Sequence, residues 1–422
     1  MSDAILGIKP TIMSSPGIQY NDLYYSQANA SVSLLECTFG WQNVISLPSL
    51  QFGSSCQLNI PIDQFIGDVV LHLRLPDLQA NESITRGWGY ALLQSIGWTL
   101  GNSNSTQIVL QNDAIFQTVI AQTTDPEKRL EILRLAGEET LLPTGDYLDA
   151  YLLLPLPMST MCGDKLPIDS TMLQSNIVIN LQFNSNPNCV YGGSATHPST
   201  FLKSEIMLRQ GKLSSQAMSI RTVMQQAPEL RYAYPFIHSQ YYLSPAFEGK
   251  RESSAFQGCS VEMNSFPNAD LVGIAFYVVK VSDKSPVSNN TPNPFNADDI
   301  SNVLVSFNGS TLFNFPAKSY RLTNMLAGAQ SASYYSNSVI SPGSVAPFIS
   351  NPKNNYLCYL DFSRERSTCL QSHFFNVFRM PNQILRVQFN TTQDTTQYRL
   401  IATYFVNAVA EFQNGTSVIR ID

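Results

Sequence analysis

The chain has 422 residues, room for two or three ordinary domains and a sizeable core without disulfide or metal staples. Hydrophobic residues make up 44%, but Asp, Glu, Lys and Arg together only 13%, about half the usual share of charge. A net charge of −6 argues against a nucleic-acid binder and against a polybasic membrane patch, and so little charge argues against disorder. Low charge with 11% aromatic residues suits a protein that buries much of its surface against partners.

Met1–Gly7 lacks a basic segment followed by an apolar run, so no secretory signal is expected; no apolar run is long enough to span a bilayer. Seven cysteines, at 37, 56, 162, 189, 259, 358 and 369, are odd in number and lack CxxC spacing. They read as small buried hydrophobes in a reducing compartment. Sequons at Asn29, Asn81, Asn104, Asn289, Asn308, Asn390 and Asn414 are expected by chance in a chain this rich in Asn, Ser and Thr.

The pattern along the chain is β. Residues 56–60 alternate, and 68–75 alternate and stop at Pro76. Further strands are predicted over 92–100, 107–110, 147–154, 176–183 and 201–208. A polar stretch, 211–228, then separates a second series: 239–247, 260–263, 271–281, 303–307, 356–362, 384–389 and 398–409. Two short helices are predicted. Asp125, Pro126 and Glu127 form a helix start that Gly137 can end, and 318–327 is a weaker helix before Gly328. Residues 282–301 and 328–355 are Pro-, Asn-, Ser- and Gly-rich surface loops, too long for hairpin turns.

Four segments recur in order in the two halves. Residues 176–184 match 382–390 at an offset of 206, and Ser159, Thr160 and Cys162 match Ser367, Thr368 and Cys369. Residues 67–71 match 269–273, and 107–116 match 303–313. The expectation is two similar β domains with roughly eight strands each: an all-β fold of jelly rolls or Greek-key sandwiches, with function in loops at one end.

No chemistry announces itself. His72, His197, His238 and His373 have no metal-pair spacing, and no nucleophile elbow, P-loop or dinucleotide fingerprint occurs. The carboxylate pairs Asp146/Asp149 and Asp361/Glu365 are no denser than chance allows for glycoside hydrolysis. Trp88, Tyr90 and Trp98 read as core or interface anchors, with sugar stacking as the alternative. Residues 125–139 hold eight charged side chains, read as a solvated helix face or, alternatively, an intersubunit contact helix. No catalytic, cofactor-binding or metal-binding residue, and no cofactor, is expected.

Residues 52–61 (FGSSCQLNIP) and 67–76 (GDVVLHLRLP) resemble the opening strands of double jelly-roll major capsid proteins of icosahedral double-stranded DNA viruses, the nucleocytoplasmic large DNA virus-like lineage. Residues 89–101 look like that family's next segment, an apolar strand leading to a glycine turn. Residues 154–168 followed by 176–183 resemble its later passage, and 266–272 with 398–412 extend the likeness more loosely. The resemblance implies an all-β chain of two consecutive eight-stranded jelly rolls with short helices in the long inter-strand loops. The division it implies is an N-terminal arm (1–30), a first roll (31–212), a linker (213–235) and a second roll (236–422). It implies a structural, non-enzymatic subunit of the virion that forms homotrimers, pseudo-hexameric capsomers tiling a shell assembled inside the host cell. Implied partners are neighbouring capsomers, penton and minor capsid proteins, and an underlying viral membrane, with no direct nucleic-acid binding. Loops 282–301 and 316–355 would form an outer tower or clasp a neighbour. The alternative function is a viral spike or other carbohydrate- or receptor-binding β-sandwich.

Overall fold

The computed structural model describes residues 37–47, 50–60, 65–78, 83–85, 88–100, 107–111, 115, 118–119, 131–132, 134–138, 147–155, 168–169, 176–187, 190–192, 199–213, 231–251, 258–263, 271–281, 302–316, 339–340, 358–361, 384–391, 395–413 and 416–421. The first half contributes β1 (Cys37–Ser46), β2 (Ser55–Ile60), β3 (Phe65–Pro76), β4 (Ser83–Thr85), β5 (Leu93–Thr99), β6 (Gln107–Gln111), β7 (Tyr147–Leu153), β8 (Ile168–Asp169), β9 (Ile177–Phe183), β10 (Tyr191–Gly192) and β11 (Lys203–Leu213). One sheet runs β1-β11-β3-β7 with β8 added beside β3, and the sheet facing it runs β2-β9-β5-β6. Leaving aside the short strands β4, β8 and β10, eight long strands remain. In chain order their two sheets read 1-8-3-6 and 2-7-4-5, the double Greek key of a jelly roll.

The second half repeats this connectivity. Its strands are β12 (Arg231–Leu243), β13 (Phe247–Glu248), β14 (Cys259–Met263), β15 (Leu271–Lys280), β16 (Asn302–Phe307), β17 (Ser310–Pro316), β18 (Val339–Ile340), β19 (Cys358–Asp361), β20 (Leu385–Phe389), β21 (Gln397–Gln413) and β22 (Thr416–Ile421). The sheets run β12-β21-β15-β19, with β13 and β22 added to β21, and β14-β20-β16-β17. Setting aside β13, β18 and β22, the order is again 1-8-3-6 and 2-7-4-5. We refer to the four large sheets by an inner strand: β3 and β9 in the first roll, β21 and β20 in the second.

The period-2 pattern does what a sandwich requires. In β9, Ile177, Ile179, Leu181 and Phe183 point into the first core, and in β20, Leu385, Val387 and Phe389 point into the second. Each such side chain contributes about 1.5–3 kcal/mol by leaving water. Long strands alternate in direction, so connections after the first, third, fifth and seventh gather at one end of each roll. In the second half, β15 ends and β16 begins at that end, at Lys280 and Asn302, and so do the end of β17 at Pro316 and the start of β19 at Cys358.

β9 and β20 are the same strand of the two rolls, as the repeat at offset 206 requires. The match of 67–71 to 269–273 finds the right strands, β3 and β15, but the wrong register. Both strands carry an extra residue against their partner, and the first core residue past it is Val69 in one and Ile274 in the other, an offset of 205. The match of 107–116 to 303–313 joins non-equivalent strands, because β6 is fifth in its roll and β16 fourth in its own. The match built on Cys162 and Cys369 lies outside the described residues.

Further corrections concern elements. Residues 89–92, which the resemblance reads as the start of an apolar strand, belong to a wholly buried helical turn, α1 (Trp88–Leu92), and the strand begins at Leu93. A five-residue element buried on all sides leaves no period to read. β1, β17 and β22 have no counterpart in the predicted strands; β1 carries a bulge between Trp41 and Asn43 that breaks its alternation. β17 follows β16 through a tight Asn308-Gly309 turn with φ of 45° and 83°, the mirror-image turn that suits a twisted hairpin. β12 takes up at Arg231, inside the stretch read as linker and earlier than the strand predicted from 239. Of the helix predicted from Asp125, residues 131–132 are helical, and Arg134–Glu138 form a wider helical turn in which Gly137 has φ 97°. The helix predicted over 318–327 lies outside the described residues.

Candidate functional surfaces

Among the described residues, two contacts join the rolls. Where the fifth strand of the first roll leads on toward the sixth, Ile115 and Val119 join the first core, and Thr118 donates a buried 2.8 Å hydrogen bond to Ser239 Oγ on β12. The edge strand β6 also lies against β12. Ser239 pairs with Phe405, and Tyr241 and Leu243 pair with Thr403 and Ile401. These β21 residues alternate with Leu400, Ala402, Tyr404 and Val406, which line the second core, so they face outward. Ile401, Thr403 and Phe405 are nevertheless buried. The second contact is a three-stranded sheet, β10-β4-β18. Val339 and Ile340 of the second roll pair with Thr85 and Ile84 of the first, so loop 328–355 reaches the first half of its own chain.

The outward face of the β3 sheet carries a polar network. Arg74 donates to both oxygens of Asp149, at 2.8 and 3.0 Å, and His72 Nε2 donates to Asp149 Oδ1 at 2.9 Å. His72 Nδ1 lies 3.6 Å from Glu205, whose carboxylate is 2.8 Å from Lys203 Nζ. Burial pushes the Asp149 carboxyl up, but the hydrogen bonds and charges of Arg74 and His72 outweigh it and hold the group below the usual carboxylate range. The Lys203 hydrogen bond likewise holds Glu205 down against its partial desolvation. Tyr151 stacks on His72 with ring centroids 4.3 Å apart, and the Arg74 guanidinium sits 3.6 Å over the Tyr147 ring. Farther along, Arg209 pairs with Asp68 at 3.3 Å. Among the described residues, Asp68, His72, Arg74, Asp149, Lys203, Glu205 and Arg209 each have an oppositely charged or hydrogen-bonding neighbour on this face. A sequence signal existed: Asp68, His72 and Arg74 occupy alternate positions of an otherwise apolar strand.

The outward face of the β9 sheet is the opposite. β2 presents Ser55, Gln57 and Asn59; β9 presents Val178, Asn180 and Gln182. β5 adds Ser95, Gly97 and Thr99, and β6 adds the exposed Val109. None of these ten is charged. Amides and hydroxyls both donate and accept, and such a face lets two like-charged copies approach without Coulomb opposition. The corresponding face of the second roll carries an exposed Arg386–Glu262 ion pair.

The residues considered for chemistry fall elsewhere. Trp88, Tyr90 and Trp98 are all buried, which removes the sugar-stacking platform. Tyr90 donates to the Leu153 carbonyl at 2.8 Å, and burial pushes its hydroxyl far up. Asp149 is held in the network above, Asp361 lies on β19, and Asp146 and Glu365 lie outside the described residues, as do His197 and His373. His238 lies on β12, and burial lowers its imidazole to about 4. Cys56 and Cys259 are free thiols raised by burial. Asn390 is buried, whereas Asn308 stands exposed at its hairpin tip and accepts from the Ile384 amide. Of the charged run 125–139, a Glu131–Arg134 pair at 3.4 Å is seen. Among the described residues no group of three or more metal-ligating side chains occurs, and no helix is long and apolar enough to cross a membrane.

No family profile and no curated protein matches the chain in sequence. Solved structures do. PBCV-1 VP54, as fitted into a reconstruction of the virophage Sputnik, matches at a TM-score of 0.62 and 16% identity, over 98% of this chain and 100% of that one. The chain is a double jelly roll. The Faustovirus major capsid protein matches at a TM-score of 0.55 and 10% identity, over 89% of this chain and 90% of that one. The mavirus major capsid protein matches at 0.50 and 10%, over 97% and 92%. In each case the likeness spans both rolls, so the double jelly roll accounts for nearly the whole chain and not for one module of it.

Proposed function

We propose that this double jelly roll is a major capsid protein, a structural subunit that trimerises into pseudo-hexameric capsomers tiling an icosahedral shell. The observation that carries the reading is the end-to-end likeness: two rolls of identical connectivity, in one chain, matched over 98% of its length by VP54 of PBCV-1. The network of matched charges on one face and the charge-free face of the first roll support it, since both suit contact between like-charged copies. The protein would then act in the virion and without catalysis. Its partners would be its own copies and neighbouring capsomers, with penton proteins, minor capsid proteins and a viral membrane as further contacts. In this reading residues 1–30 serve as an arm, the connection between β11 and β12 as the linker, and the long loops at one end as the outer tower. The spike or glycan-binding reading loses its candidate aromatics to the core.

Solution mass by light scattering, with negative-stain images of the same peak, tests the proposal. Three chains of 46.8 kDa weigh about 140 kDa, and a particle of that mass with a hexagonal outline is the expected result. A stable 46.8 kDa monomer that never assembles would overturn it.

A further inference from the structure

We propose that the first roll folds on its own and serves as the template on which the second roll completes its fold. The two rolls share one connectivity but are unequal in independence. Each closes around a separate core, and no described residue belongs to both cores. Units with separate cores fold separately, and the one synthesised first folds first. The order is obligatory here because the second roll leaves surfaces that only the first one covers.

The sheet faces show the inequality. Ile401, Thr403 and Phe405 of β21 are at most 4% exposed, yet Ile401 and Phe405 belong to neither core. They stand on the outward face, and Phe405 pairs across the ladder with Ser239, which Thr118 of the first roll reaches. Ile115, Thr118 and Val119 are helical, and Ile115 and Val119 are part of the first core, so the piece that meets the second roll is anchored in the first. Without it, apolar side chains of β21 face water side by side, which a soluble domain rarely sustains. The equivalent face of the first roll needs no such cover. Tyr404 opposite Ile274 corresponds to Leu208 opposite Val69, which sets Ile401, Thr403 and Phe405 against Glu205, Met207 and Arg209. Glu205 pairs with Lys203 and Arg209 with Asp68, and the Arg209 side chain is 49% exposed. Charges of this kind are solvated while the face is bare.

The strap repeats the inequality. β4 and β10 pair with each other inside the first roll, and their Ile84 and Tyr191 join the first core. β18 pairs with no described strand of its own roll, and two residues make no strand alone. Its ladder partners, Thr85 and Ile84, are supplied by the first roll.

Pulse-labelling hydrogen exchange during refolding of the full-length chain from urea tests the proposal, at a concentration low enough that folding precedes association. Oligomeric state then does not enter the readout. Amides of 93–99 and 177–183 report the first roll, and those of 271–280 and 385–389 the second. In the wild type the first set should gain protection before the second. Phe389→Ala, which empties a fully buried site of the second core, should lower protection of the second set and leave the first at the wild-type rate. Phe405→Asp, at the junction and outside both cores, should do the same. Trp98→Ala, in the first core, should lower protection of both sets. Simultaneous protection in the wild type, or a second set protected first, would overturn the template role. So would a second set that keeps its protection while Trp98→Ala lowers the first, or a Phe389→Ala variant that lowers both.

Discussion

Gly137→Ala is the sharpest test of how the first roll is built. Gly137 sits at φ 97°, and a Cβ there would lie 2.4 Å from Trp88 Nε1, 2.5 Å from Cδ1 and 2.9 Å from Cε2. Trp88 is 2% exposed and belongs to α1, whose Gly89 is pressed against Leu152 and Ala150, so the ring has nowhere to go. The left-handed backbone costs an L-residue about 1–2 kcal/mol, and overpacking adds about 1–3 kcal/mol. A loss of about 3 kcal/mol, at a urea slope of about 2 kcal/mol/M, moves the unfolding midpoint down by about 1.5 M. All three tryptophans, Trp41, Trp88 and Trp98, lie in the first roll, so tryptophan fluorescence reads that roll alone. Trp88→Ala separates the two costs: in that background Gly137→Ala should lose only the backbone share, about 1–2 kcal/mol. A midpoint unmoved by Gly137→Ala in the wild-type background would refute the close approach to Trp88.

Asp149→Asn strips Arg74 and His72 of their shared carboxylate and should cost about 2–3 kcal/mol by urea unfolding. Because the folded Asp149 carboxyl is held below its ordinary value, its stabilisation is present above that value and is lost as pH falls through the folded one. The acid limb of the wild type should therefore be steeper than that of Asp149→Asn. His238 acts in the same direction over a higher pH window: folded at about 4 against an ordinary 6.5, it stays neutral while the unfolded imidazole takes up a proton. Stability should drop by about 3 kcal/mol between pH 6.5 and 4, and calorimetry of His238→Gln should show that part of the slope gone. Trp98→Ala, emptying a fully buried site, should cost about 3–5 kcal/mol. Gln57→Glu combined with Gln182→Glu puts two like charges on the charge-free face; trimers should persist by mass while ordered arrays vanish from negative-stain images.

The sequence by itself determined the class of the fold, the number of rolls and most of the strands. Period-2 alternation depends on which side chains meet water, and in β2, β9, β14 and β20 each strand has one core face and one outer face. The repeat at offset 206 survived because β9 and β20 do the same job in the same place. Only the tertiary structure decided what depends on partners distant in the chain. α1 is helical because its five residues are enclosed by Gly137, Ala150 and Leu152, not because of any local period. Asp149 gains its role from Arg74 and His72, 75 and 77 residues away, and no local spacing encodes that meeting. The junction at Thr118 and Ser239 brings together residues 121 apart that are unremarkable alone. Local patterns report burial, which a short stretch can encode; which surfaces meet is set by strand order and register, which the chain settles only when both rolls have closed.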